Sequence, residues 1–261
     1  MRIWTVLLQL VFLSTMPLSL NAQAGPGENG LTLSPIRLVL SAKAPTALLS
    51  LRNGKSESVR FQLRVFSWTS GPKGEMVMAP TDDIVFFPPL LTIKPSEERK
   101  IRIGSPVPFG SAEKSYRLIV EELPPLEKPS ENGDPPGIHV LLKYSLPIFM
   151  QPGRVVSQAQ IEGLAVENRH LTFRVKNEGN VHLLLQKVSI KGAGKSGQAV
   201  FERELQGWYV LVGDAKAYEV ELAKEECGKI SELTAEAKNE GQPTTWRGHL
   251  VISSSSCRAQ P

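Results

Sequence analysis

Only two cysteines and 7% aromatics occur in these 261 residues, and like charges never run together for long. So little cysteine excludes a disulfide-built scaffold, and the lack of Cys-x-x-Cys removes a dithiol redox centre and a cysteine zinc site. His139, His170, His182 and His249 are scattered, with no His-Glu-x-x-His or other ligand spacing, so each reads as a strand-surface residue and no metal is expected. No Gly-x-Ser-x-Gly elbow marks a hydrolase nucleophile. Lys and Arg number 30 against 26 Asp and Glu, a formal net charge of +4. That near balance gives nucleic-acid binding little support. After the first residues no apolar run is long enough to cross a ~30 Å hydrocarbon core. Present in quantity are 20 prolines and 21 glycines, beside a hydrophobic fraction of 41% that speaks against disorder. Many short elements joined by turns indicate an all-β protein.

Arg2 precedes the apolar segment Ile3–Leu13, and Ala22-Gln23-Ala24 closes the polar stretch that follows. A basic start, a short apolar run and Ala-x-Ala form the pattern of a secretory signal peptide, residues 1–24. The mature chain then has no segment for membrane insertion. In an oxidising compartment Cys227 and Cys257 are expected to form a disulfide that staples only the C-terminal part, with two buried free thiols as the alternative.

Apolar residues alternate with polar ones through most of the chain. Val59, Phe61, Leu63 and Val65 alternate with Arg60, Gln62 and Arg64, then Phe66 and Trp68 continue on the opposite phase, which predicts a β-bulge. Tyr116, Leu118 and Val120 alternate across Arg117, Ile119 and Glu121. Candidate strands are 31–40, 46–52, 59–68, 84–87, 99–104, 114–122 and 137–150. That number and spacing describe an immunoglobulin-like sandwich. Gln151-Pro152-Gly153-Arg154 breaks the pattern, so a first domain is placed at 25–152 and a second β domain at 153–261. In the second, Leu171, Phe173 and Val175 alternate, then Tyr218, Val220 and Leu222, while 230–238 reads as a weak short helix. The halves show no obvious sequence repeat.

No catalytic constellation coheres, so no enzyme, catalytic residue or cofactor is expected. Gly194-Lys195-Ser196 lacks the glycine a phosphate loop needs five residues earlier, where Ser189 stands. It leads into strand-like sequence, so it reads as a hairpin turn. Asp82-Asp83, Glu97-Glu98, Glu121-Glu122 and Glu225-Glu226 are adjacent pairs, which on a strand point to opposite faces and cannot share acid–base work.

The segment Gly137–Pro152 ends the first domain as a long apolar strand, with Ile138, Val140 and Leu142 on one face. Such a strand is an aggregation hazard unless it is covered or kept to pair with a partner's backbone. Here the sequence resembles the periplasmic pilus- and fimbria-assembly chaperones of the PapD-like family. The resemblance rests on Leu33-Ser34-Pro35-Ile36-Arg37, Leu49-Ser50-Leu51-Arg52-Asn53, Gln62–Trp68 and Phe87-Pro88-Pro89. It continues through Ile93-Lys94-Pro95 to Ile101-Arg102-Ile103, then Tyr116–Pro125 and Leu146–Pro152, in order and through nearly the whole first domain. The second domain matches only loosely.

The resemblance implies two immunoglobulin-like sandwiches around a cleft. It also implies a periplasmic chaperone that caps pilus subunits lacking their final strand and delivers them to an outer-membrane usher without ATP. Ile138, Val140 and Leu142 would then fill the subunit's groove. In the family a first-strand arginine and a last-strand lysine bind the subunit's terminal carboxylate. Arg37 matches the arginine, whereas the lysine position is Pro147, and Lys143, on the same face, is the substitute offered. The rival reading from another class is a secreted two-domain β adhesion or matrix-binding protein. A structural pilus subunit is disfavoured because Gly25–Gly30 lacks alternating apolar residues for a donor segment.

Overall fold

A computed structural model describes residues 30–72, 74–125, 140–241, 244–253 and 256–257. The first sandwich comprises β1 (Leu31–Ser34), β2 (Leu38–Leu40), β3 (Thr46–Asn53), β4 (Val59–Ser70), β5 (Met76–Pro80), β6 (Val85–Phe87), β7 (Leu90–Ile93), β8 (Glu98–Gly104), β9 (Lys114–Leu123) and β10 (Lys143–Met150). One sheet runs β1-β3-β8-β6 and the other β2-β10-β9-β4-β5, with β7 also paired to β4. The core between them contains Leu49, Leu51, Phe61, Leu63, Ile101, Ile103, Leu118 and Ile148, all buried.

The second sandwich comprises β11 (Ala159–Glu167), β12 (His170–Asn177), β13 (Leu183–Ala193), β14 (Ala199–Gln206), β15 (Tyr209–Val210), β16 (Ala215–Glu221), the single turn of helix α1 (Lys224–Cys227), β17 (Glu232–Asn239) and β18 (Thr245–Val251). Its sheets run β11-β12-β16 and β14-β13-β17-β18, with β15 on β13. Leu171, Phe173, Val175, Leu183, Val188, Ile190 and Leu233 fill its core. The all-β, two-sandwich architecture is the expected one. Cys227 is bonded to Cys257, tying α1 to the segment beyond β18.

Several sequence expectations are corrected. The stretch 31–40 is two strands in different sheets, because Pro35 donates no N–H and the chain crosses over at the following bend. β5 and β7 had no strong alternation to announce them. No bulge interrupts β4, whose ladder with β9 is continuous from Arg60 to Ser67. Its phase change has another cause: positions up to Leu63 bury their odd residues in the core, whereas Trp68 buries the opposite face against the second sandwich. The helix expected at 230–238 is instead β17. Leu233, Ala235 and Ala237 point inward between β13 and β18, and sheet burial overrides a weak helical propensity. Gly194–Gly197 is a hairpin turn, closed by bonds from Gly194 N–H to the Gln198 carbonyl and from Gly197 N–H to the Gly194 carbonyl.

The halves also share a device that their sequences conceal. Asn53 ends β3 fully buried, donating to the carbonyls of Glu57 (2.7 Å) and Ile93 (3.0 Å) and accepting from the Lys55 N–H. Asn177 ends β12 in the same way, donating to Val181 (2.8 Å) and Val210 (3.0 Å) and accepting from the Gly179 N–H. Each amide satisfies backbone groups that a turn would otherwise bury unpaired.

Candidate partner-binding cleft

The last strand of the first sandwich is paired unequally on its two sides. β9 covers all of β10 on one side, from Lys143 opposite Glu121 to Met150 opposite Lys114. On the other side β2 runs parallel to it, but only along Ile148–Met150. Among the described residues no strand pairs with the outer edge of Lys143–Pro147, so its backbone groups face outward.

The even-numbered face of this segment runs progressively out of the core. Ile148 and Leu146 are buried, Tyr144 and Leu142 half-buried, and Val140 74% exposed. The strand expected from residue 137 begins, where described, at Lys143; β9 ends at Leu123, the residue level with Leu141, and leaves Val140 beyond the end of its partner. The Leu142 carbonyl still accepts from the Glu122 N–H at 2.8 Å. Ile138 and His139 lie outside the described residues.

The odd-numbered face of β10 looks toward the second sandwich. Phe149 is fully buried there, its ring stacked on His182 at 3.5 Å between centroids. Trp68, Tyr209 and Leu211 complete an apolar cluster between the domains. The buried Glu113 carboxylate accepts from the His182 N–H (2.9 Å) and faces its Nδ1 at 2.8 Å. Asn180 donates to the carbonyls of Ser111 and Arg154 beside them. His182 is therefore a seam residue rather than the strand-surface residue its sequence context implied.

The charged groups expected in the cleft are already engaged. Arg37 lies in the bend between β1 and β2, its Nη1 2.8 Å from an Oε of Glu240 in the second sandwich. Partial burial works against its charge, but the hydrogen bonds and negative charge of Glu240, with Tyr209, prevail and raise its pKa. Lys143 sits at the start of β10, 3.6 Å from Glu121. That carboxylate is held below its usual pKa range chiefly by a 2.6 Å bond from Arg64, with Lys143 assisting. Four residues of strand, about 13 Å, separate Lys143 from Pro147. Directly across from Pro147 stands Arg117, a residue that sequence alternation counted merely as an outward polar position. It is 4% exposed, with its guanidinium carbon 3.7 Å from the Trp68 ring centre. No sequence signal marked it, since only the β9–β10 register sets it beside that proline.

Among the described residues no group of three or more His, Cys, Asp or Glu side chains is placed to hold a metal. No described helix is long and apolar enough to cross a membrane.

Residues 30–156 match the family described as pili and flagellar-assembly chaperone, PapD N-terminal domain. No curated protein sequence matches the chain. Among solved structures, the class 5 fimbriae chaperone CfaA is similar with a TM-score of 0.59 at 14% identity, covering 86% of this chain and 100% of that one. The complex of CsuC with the tip adhesion subunit CsuE, from the archaic Csu pili of Acinetobacter baumannii, matches with a TM-score of 0.56 at 19% identity, covering 84% and 97%. The SafB chaperone–SafA pilin complex of Salmonella enterica gives 0.53 at 15% identity, covering 86% and 97%. The first sandwich is therefore a PapD N-terminal domain of the pilus-assembly chaperone family, and over its length the chain has the two-domain fold of the solved PapD-like chaperones.

Proposed function

We propose that this chaperone works in the periplasm, exported by the segment 1–24. There it caps pilus or fimbrial subunits that lack a final strand by pairing the free edge of β10 with the subunit, and hands them to an outer-membrane usher. The observation that carries the reading is the mismatch at β10: its apolar face and its open edge both extend beyond the sheet that covers them. A subunit short of one strand offers the complement, an apolar groove with unpaired backbone groups. Val140 and Leu142, with Ile138 ahead of them, enter the groove while main-chain hydrogen bonds form along Lys143–Pro147. Each aliphatic side chain fully buried contributes about 1.5–3 kcal/mol, so the complex holds without ATP until a better-fitting strand replaces the chaperone's.

The test is the double variant Val140→Asp/Leu142→Asp, co-expressed with a pilin subunit that lacks its last strand. Both positions are at least partly open in the free chain, so the variant keeps the circular dichroism and melting of the parent. The pilin is expected to pass into the insoluble or degraded fraction. A variant that protects the pilin as well as the parent does would overturn the reading.

A further inference from the structure

Among the described residues, hydrogen bonding between β9 and the segment that becomes β10 starts at Leu142, and the contact there is not an ordinary ladder pair. The Glu122 N–H donates to the Leu142 carbonyl at 2.8 Å, as a ladder requires. The Leu142 N–H, however, donates to the Glu122 carboxylate, 3.2 Å from Oε2, rather than to a main-chain carbonyl. The other carboxylate oxygen, Oε1, accepts from Lys55 Nζ at 2.7 Å. The Glu122 side chain is only 8% exposed, so both of its oxygens are engaged in a place largely closed to water.

Lys55 comes from the bend that leads from β3, in one sheet, to β4, in the other. Its own N–H is held at 2.9 Å by the buried side chain of Asn53. A chain of contacts therefore runs from the turn anchored by Asn53, through Lys55 and Glu122, to the main chain of Leu142. Tyr144, the next residue on the same face, feels both charges: burial raises its pKa, Glu122 adds to the rise and Lys55 opposes it.

A buried ion pair adds little net stability, because both ions give up water in forming it. What this one supplies is geometry. Just ahead of Leu142 the chain runs past the end of its partner strand, and Val140 is 74% exposed. A segment already ordered at its root loses less conformational entropy when it meets a partner. We propose that Glu122, held by Lys55, is a positioning residue of the pairing strand: its carboxylate fixes the main chain at Leu142, where the strand parts from β9, and so sets the line along which Val140 and Leu142 enter the subunit's groove. The inference rests on the strand-pairing reading above and deepens it.

Two measurements on the full chain test it. In the unmodified protein, hydrogen exchange at the Leu142 amide is expected to be at least ~10-fold slower than in an unfolded chain. Exchange at the unfolded-chain rate overturns the proposal without recourse to a variant. Competition gives the functional readout: a tagged pilin lacking its last strand is co-expressed with equal amounts of parent and variant, and the captured ratio is read by mass spectrometry. Lys55→Met/Glu122→Met replaces the ion pair with apolar side chains and is expected to melt close to the parent. It should nonetheless be captured about 5- to 30-fold less well, the factor for ordering the backbone of one residue. Lys55→Glu/Glu122→Lys keeps an ion pair, but a lysine cannot accept the Leu142 N–H, so its capture should be equally poor. Capture of either variant at the parent's level overturns the proposal, as does a loss of capture that only parallels a loss of melting temperature. Exclusion of Val140→Asp/Leu142→Asp in the same competition leaves strand pairing standing in that case. If this last variant is captured as well as the parent, strand pairing fails together with the proposal.

Discussion

Replacing Glu113 by alanine is expected to weaken the joint between the two sandwiches by a calculable amount. Its carboxylate is fully shielded, accepts from the His182 N–H at 2.9 Å and lies 2.8 Å from the ring Nδ1. Hydrogen bonds to a charged group contribute about 1.5–3 kcal/mol each, and the substitution also leaves the His182 N–H without its acceptor. Glu113→Ala should therefore cost about 3 kcal/mol or more. His182→Ala removes the ring bond and the stack on Phe149, but leaves the backbone N–H in place. Only the ring bond is lost in both variants, so a double-mutant cycle should return a coupling of about 1.5–3 kcal/mol. Urea denaturation followed by tryptophan fluorescence reads it, because Trp68 is buried in the same seam, against Leu211 and Tyr209. Losses that add to within about 0.5 kcal/mol would refute the claim that the two side chains act as one latch.

Two further outcomes follow from local chemistry. The Cys227–Cys257 bond spans a sequence separation of 30, for which loop-closure entropy gives about 3–4 kcal/mol. Reduction, or a Cys227→Ala/Cys257→Ala variant, should lower the second sandwich's unfolding transition alone; an equal shift of the first sandwich's transition would contradict the placement of the staple. Asp83 accepts from the Tyr116 hydroxyl at 2.7 Å and from Lys114 at 3.1 Å, and these bonds hold its pKa below the ordinary aspartate value. A depressed carboxylate stabilises the fold above its unfolded-state pKa, and that contribution is lost as pH falls through the folded-state value. Asp83→Asn should therefore flatten the decline in stability between about pH 5 and pH 2. An unchanged pH profile would exclude the pair as its source.

Much of the first sandwich was legible because one-sided burial writes a period of two into each strand. Leu49 and Leu51, Ile101 and Ile103, and Leu118 and Val120 all alternate in sequence and are buried in the core. Strands exposed along their length carry no such record, which is why β5 escaped notice. The switch of phase at Trp68 was visible, but its cause was a second domain rather than a bulge, and a single strand's sequence cannot distinguish a neighbour from an irregularity. Asn53 and Asn177 looked like ordinary turn residues, because the carbonyls that need them lie as far as 40 and 33 residues along the chain.

In the cleft the same division holds. Sequence alone determined the all-β class, the apolar strand at the end of the first domain, and Pro147 at the position where a lysine is expected. Those properties are carried by residue type and near-neighbour spacing. Only the tertiary structure decided which cations are free. Arg37 has Glu240 beside it and Lys143 has Glu121, while Arg117 is left with an aromatic ring and two idle donors. The charge of an arginine is fixed by its chemistry, but its availability depends on which carboxylates the fold brings within hydrogen-bond reach.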